Sequence, residues 1–168
     1  VLLYIYLPII ILLIYSFNDS DVNVTLRGFT LDWYISLFHD SSLMEALLVS
    51  VKIAVYATAI SVVIGTLAAI GMYRYKLKSA KWINLMLYVP IVVPEIVIAV
   101  AYLASFNFAG FTMGAATLVI AHVSFCVPFV VITLRARLAG FDPSMEEAAM
   151  DLGANPFRTL IRVTLPML

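Results

Sequence analysis

Charge is scarce in this chain. Of 168 residues only 12% are Asp, Glu, Lys or Arg, while 64% are hydrophobic, and the mean hydropathy is +1.06. Soluble domains carry about 25% charged residues, and a core of the size this chain could enclose would not hide so much apolar surface. A soluble globular domain is therefore excluded. Cysteine is nearly absent: Cys126 stands alone in an apolar run, so there is no disulfide framework from which to read a redox compartment. With only two histidines and no acidic residue near His122 in sequence, a metal site is not expected. His122, one turn from Cys126, reads as a hydrogen-bonded core histidine. Also missing are a glycine-rich phosphate loop, a Walker-type sequence and a nucleophile–base arrangement. Ser124, His122 and Glu95 have no spacing that would make them a hydrolytic triad. The expectation is a chain that is not an enzyme, holds no cofactor and binds no nucleic acid.

What is present is a series of long apolar runs. A membrane helix needs about 20 mostly apolar residues, and the runs predict an all-α, polytopic transmembrane helical bundle in a lipid bilayer, with spans at about 1–17, 46–73, 82–106 and 115–134. Residues 1–15 lack the basic n-region and small-residue cleavage site of a signal peptide. They read as a truncated first span, and the apolar residues at both ends predict a fragment of a longer chain. Gly65, Ala69 and Gly71 predict close helix packing in the second span. Pro90, Pro94 and Glu95 interrupt the third, and 107–114, with Gly110 and Gly114, is its turn. Eight of the ten Lys and Arg residues (Arg74, Lys76, Lys78, Lys81, Arg135, Arg137, Arg158 and Arg162) fall in two loops on one side, which the positive-inside rule makes cytoplasmic. Residues 18–43, with Asp19, Asp21, Asp32 and Asp40 against Arg27, then face outward, with Trp33 and Tyr34 suited to the interfacial aromatic belt. Those acids suit a binding protein, cations or plain solvation equally well.

The polar stretch within 135–165 predicts two short amphipathic helices on the cytoplasmic side. Asp142 can cap a helix starting at Pro143, and Glu146 and Glu147 suit its positive end. Met145, Ala148, Ala149 and Leu152 share a face, Gly153 supplies a left-handed stop, and Asn155-Pro156 restarts a helix striped by Phe157, Leu160, Ile161 and Leu165. Such a pair makes a docking knob. In the third span Glu95 is the one acid at membrane depth, where a charge is costly unless it faces a cavity or a partner. Seven residues either way lie Tyr88 and Tyr102. A carboxylate between aromatic faces suits an organic cation; a structural or gating carboxylate paired to another helix is the other reading.

Glu147-Ala148-Ala149, then Gly153 after three intervening residues, then Val163-x-Leu165-Pro166 after nine more, resemble the EAA motif of binding-protein-dependent ABC importer permeases, the MetI-like superfamily. The stretches 6–18, 28–34, 71–76, 89–99, 121–131 and 140–142 are similar to its spermidine/putrescine subgroup, C-type subunit. The resemblance implies a six-helix type I importer permease, truncated here before the fifth helix, in the inner membrane of a bacterial cell. It implies a homologous second permease subunit, a pair of ATP-binding subunits that carry the nucleotide, and an extracytoplasmic substrate-binding protein. It assigns Glu147, Ala148, Ala149, Gly153, Leu165 and Pro166 to ATPase coupling and supports Glu95 in the solute pathway. The alternatives are an importer permease for iron, thiamine or sulfate, and a non-transporting membrane interaction protein.

Overall fold

A bilayer offers no water to backbone N–H and C=O groups, so an apolar chain must close its hydrogen bonds within helices. In the computed structural model, which describes residues 2–20, 25–75 and 79–168, this chain does so. Among the described residues the one extended pairing is an isolated antiparallel bridge between Asn18 and Phe29. Asp21, Lys76 and Lys78, assigned above to the outer and basic loops, lie outside the described residues. The chain divides into two units, Val1–Val51 and Lys52–Leu168.

In the first unit, α1 (Leu2–Tyr15) and α2 (Asp32–His39) flank a connection organised around Asn18. This side chain is 1% exposed. Its Nδ2 donates to the Thr25 carbonyl at 2.8 Å, and its Oδ1 accepts the Arg27 N–H at 2.8 Å. Trp33 spends its indole N–H on the Asn18 carbonyl at 2.9 Å, and Phe17 stacks on Phe29 with centroids 5.3 Å apart. The described residues of the expected outer stretch 18–43 thus hold helix α2 and a cluster tied together by the buried Asn18 amide.

Helix α3 (Ser41–Arg74) has 34 residues, roughly 50 Å at 1.5 Å each, more than the ~30 Å hydrocarbon core. It and α6 (Ala115–Leu138) are each long and apolar enough to cross a membrane. In α3 the residues Ile53, Ala57, Ser61, Gly65 and Ala69 repeat every four positions and are all buried. A Cβ added to Gly65 would lie 2.6 Å from both Cβ and Cγ1 of Val130, so the absent side chain is what lets α3 approach α6. Gly71 has open space around it and takes no part in that contact, contrary to expectation.

The third predicted span, 82–106, is not one rod. It is α4 (Ala80–Val92) and α5 (Glu95–Phe108), bent by 109° at the break. The reason is local. A residue before proline is pushed out of the α region, and Val93 (ψ 132) and Pro94 (ψ 133) are both extended. α5 also runs two residues past the expected end, leaving 109–114 as the turn. There Gly110 takes φ +73, and the Thr117 hydroxyl accepts the Gly114 N–H at 3.0 Å as α6 begins. Ala69, Ile70, Val131 and Leu138 form the buried core of this unit, and Phe141, Leu160 and Leu168 pack on it from the C-terminal segment.

Candidate functional site

Local demands shape the C-terminal hairpin residue by residue. α7 (Ser144–Asp151) starts one residue later than expected, because Pro143 occupies the cap position itself. Asp142 still caps: its Oδ1 accepts the Ser144 N–H at 3.0 Å. Hydrogen bonds from the Ser144 backbone and hydroxyl hold the Asp142 carboxyl below its ordinary pKa. The helix ends in a Schellman motif, with Gly153 at φ +88. The Ala154 N–H reaches the Ala149 carbonyl at 3.1 Å and the Gly153 N–H reaches that of Met150 at 2.9 Å. Asn155 Oδ1 then accepts the Arg158 N–H at 2.8 Å, and Pro156 opens α8 (Pro156–Thr159). A π turn over Leu160–Thr164 leads into α9 (Leu165–Met167), an interruption that the expected single stripe did not contain.

The stripe residues Met145, Phe157, Ile161 and Leu165 are exposed, and Leu152 is 90% exposed. Glu147, Ala148, Gly153 and Pro166 are exposed too, and Ala149 is half-buried. Ala149, Leu152, Gly153, Arg158 and Arg162 line an open groove of about 270 Å³. An apolar knuckle rimmed by two guanidinium groups is suited to receiving a protein surface. The hairpin is held to the helices above it by polar ties. Arg74 Nη2 donates to Glu146 Oε1 at 2.7 Å, the Thr164 hydroxyl donates to the same oxygen, and Arg137 Nε donates to the Met167 carbonyl at 3.2 Å. Arg135 bonds Asn84 of α4.

The second constellation lies where α5 meets α6. Glu95, Tyr102, His122 and Phe125 line a small cleft of about 70 Å³. Glu95 is exposed and makes no hydrogen bond or ion pair among the described residues. Tyr102 stacks on Phe106, centroids 5.9 Å apart. Tyr88 is not in the cleft. Counting seven residues back assumed a continuous helix, and the extended pair at 93–94 resets the rotation. His122 is hydrogen-bonded as expected, with Nδ1 2.8 Å from the Leu118 carbonyl, but it is exposed rather than core. A carbonyl can only accept, so Nδ1 carries a proton. Carboxylate and aromatic faces together favour an ammonium group. Ser124 is not part of the group, its hydroxyl donating to the Ile120 carbonyl at 2.9 Å.

The family model described as the binding-protein-dependent transport system inner membrane component matches residues 61–168. The chain belongs to this family. The matched range takes in α6, the bent pair and the whole hairpin. Among curated relatives, the chain is 41% identical over 164 residues to the spermidine/putrescine transport system permease protein PotC of Escherichia coli K12, covering 98% of this chain and 62% of that protein. It is likewise 41% identical to the protein of that name from Haemophilus influenzae, with 98% and 64% covered. It is 33% identical to the E. coli putrescine transport system permease protein PotI, with 98% and 61% covered. The chain thus spans less than two thirds of the length of these relatives.

Sequence reasoning placed Glu146 only at a helix start and Arg74 only in a basic loop. The structure joins the two across 72 positions, and no local pattern announces such a pair.

Proposed function

We propose that this transport component is a permease subunit of an ATP-driven importer of polyamines. The observation that carries the reading is the similarity over 98% of the chain to spermidine/putrescine permeases. The Glu95 cleft supports it, because a carboxylate flanked by Tyr102 and Phe125 attracts an ammonium by ion pairing and cation–π contact. The cleft is small because a fuller bundle, with a homologous second permease, would supply its other walls. An extracytoplasmic binding protein delivers the solute. ATP is bound and hydrolysed by a separate subunit pair, a reading that the lack of a Walker-type motif in the sequence supports. The hairpin lies on the cytoplasmic side and meets that pair through the Leu152 knuckle, with Glu147, Ala148, Ala149, Gly153, Leu165 and Pro166 setting its shape. Closure of the ATPase pair tilts the hairpin, and the spans follow in alternating access.

The test is Leu152→Asp beside Gly153→Pro in the full importer. Leu152 makes no buried contact to lose, so the Asp variant keeps its membrane insertion while ATPase co-purification drops by tenfold or more, as for an interface anchor. Undiminished co-purification would remove the docking role.

A further inference from the structure

One carboxylate oxygen ties together three parts of the chain. Glu146 Oε1, in the first turn of α7, accepts Arg74 Nη2 from the last residue of α3 at 2.7 Å. It also accepts the Thr164 hydroxyl from the end of the π turn. This is the single ion pair among the described residues. Thr164 is 2% exposed, and the Arg74 and Glu146 side chains are 32% and 17% exposed. Two hydrogen bonds to one ionised, partly sheltered oxygen are stronger than a freely solvated surface pair. Thr164 has one hydroxyl proton, so donating it to Glu146 leaves the Thr159 carbonyl, 3.5 Å away, without it.

We infer that Glu146, one residue ahead of the Glu147-Ala148-Ala149 triplet, is a positioning residue that fastens the docking hairpin to α3. The inference rests on the importer reading above. The backbone links the hairpin directly to α6, its N-terminal neighbour in sequence, and not to α3. The Arg74–Glu146–Thr164 tie adds α3, so that a tilt of the hairpin is passed to two spans that already pack on each other at Gly65 and Val130. Without it, among the described residues α3 is held to the hairpin by non-directional apolar contact around Ala69, Ile70, Leu160 and Leu168, which permits sliding.

The test uses the assembled importer in proteoliposomes, carrying Arg74→Glu, Glu146→Arg or both together. Each reversal alone is expected to lower spermidine uptake per ATP hydrolysed by about tenfold, a typical coupling between sites, with the ATPase still bound. The double swap, which restores the attraction, is expected to recover most of that loss. Amide exchange over 144–151 is expected to quicken in the single variants and slow again in the swap. If Glu146→Arg does not assemble, Glu146→Gln, which keeps the shape, serves with a smaller loss in the same direction. Unchanged uptake per ATP in the single variants, or a swap no better than they are, overturns the inference. If the unmodified complex transports nothing, the importer reading fails and the transmission role with it, and the exchange data alone then decide whether the tie exists.

Discussion

Gly65 offers a direct test of how α3 and α6 are held together. In Gly65→Ala the new methyl carbon would sit 2.6 Å from Cβ and Cγ1 of Val130 and 3.4 Å from the Val127 carbonyl oxygen. Carbon atoms in contact rest at about 3.5–4.0 Å, so the overlap is roughly 1 Å. Rotating Val130 moves Cγ1 away but not Cβ, which is fixed to the backbone. The helices must therefore part, and a gap of 0.5–1 Å forfeits a quarter to a half of each contact's attraction. Overpacking of this kind costs about 1–3 kcal/mol, against the ~1 kcal/mol that Ala gains over Gly in a helix. The expected net loss is up to about 2 kcal/mol. Gly71→Ala is the matched control on the same helix: nothing lies within 4 Å of its added Cβ, so it should gain up to about 1 kcal/mol. Thermal unfolding in detergent, followed by helical circular dichroism, reads both. Val130→Gly should relieve the clash and Val130→Ala should relieve only part of it. A Gly65→Ala protein as stable as its Gly71→Ala counterpart would refute the close approach.

Two further outcomes follow from hydrogen bonds. Asp142 has its pKa depressed on folding by the bonds from Ser144, backbone first, from an ordinary value of 3.8. Its contribution to the start of α7 is thus present above that value and fades as pH falls through the lower, folded one. Exchange of the Ser144 amide should rise under acid conditions below about pH 4, and Asp142→Asn should lack that dependence. Asn18→Ala leaves the Arg27 N–H and the Thr25 carbonyl without their partner, a loss of about 1–3 kcal/mol; the Arg27 amide should exchange at least tenfold faster, and an unchanged rate would make Asn18 dispensable.

The sequence revealed most where a residue's own chemistry forces the backbone. Gly153, Asn155 and Pro156 each impose a conformation on themselves or a neighbour, and the hairpin they punctuate appears within one residue of its expected start. The apolar runs were legible because length and composition alone decide them. The 109° bend was not: Pro94 announces a break, but its angle depends on Val93 and Pro94 both being extended. That is also why Tyr88, placed by helical periodicity carried across the break, falls outside the cleft while Tyr102, on the unbroken side, lines it. His122 entered the cleft unforeseen because Glu95 and Tyr102, which line it too, come from α5 and not from its own helix. The Arg74–Glu146–Thr164 tie and the Asn18 cluster depend on chain segments distant or unpatterned in sequence.

The measurement that tests the central claim most directly is ATP-dependent uptake of labelled spermidine by proteoliposomes holding the full chain with the ATPase, second permease and binding protein proposed for it. Glu95 is compared native and as Glu95→Gln. The native complex is expected to accumulate spermidine, and the variant, equally well assembled, to do so about tenfold or more slowly, equivalent to losing one ion-pairing contact of about 1.4 kcal/mol. An assembled native complex that accumulates no spermidine would contradict the polyamine reading, and equal uptake by both would return Glu95 to a structural role.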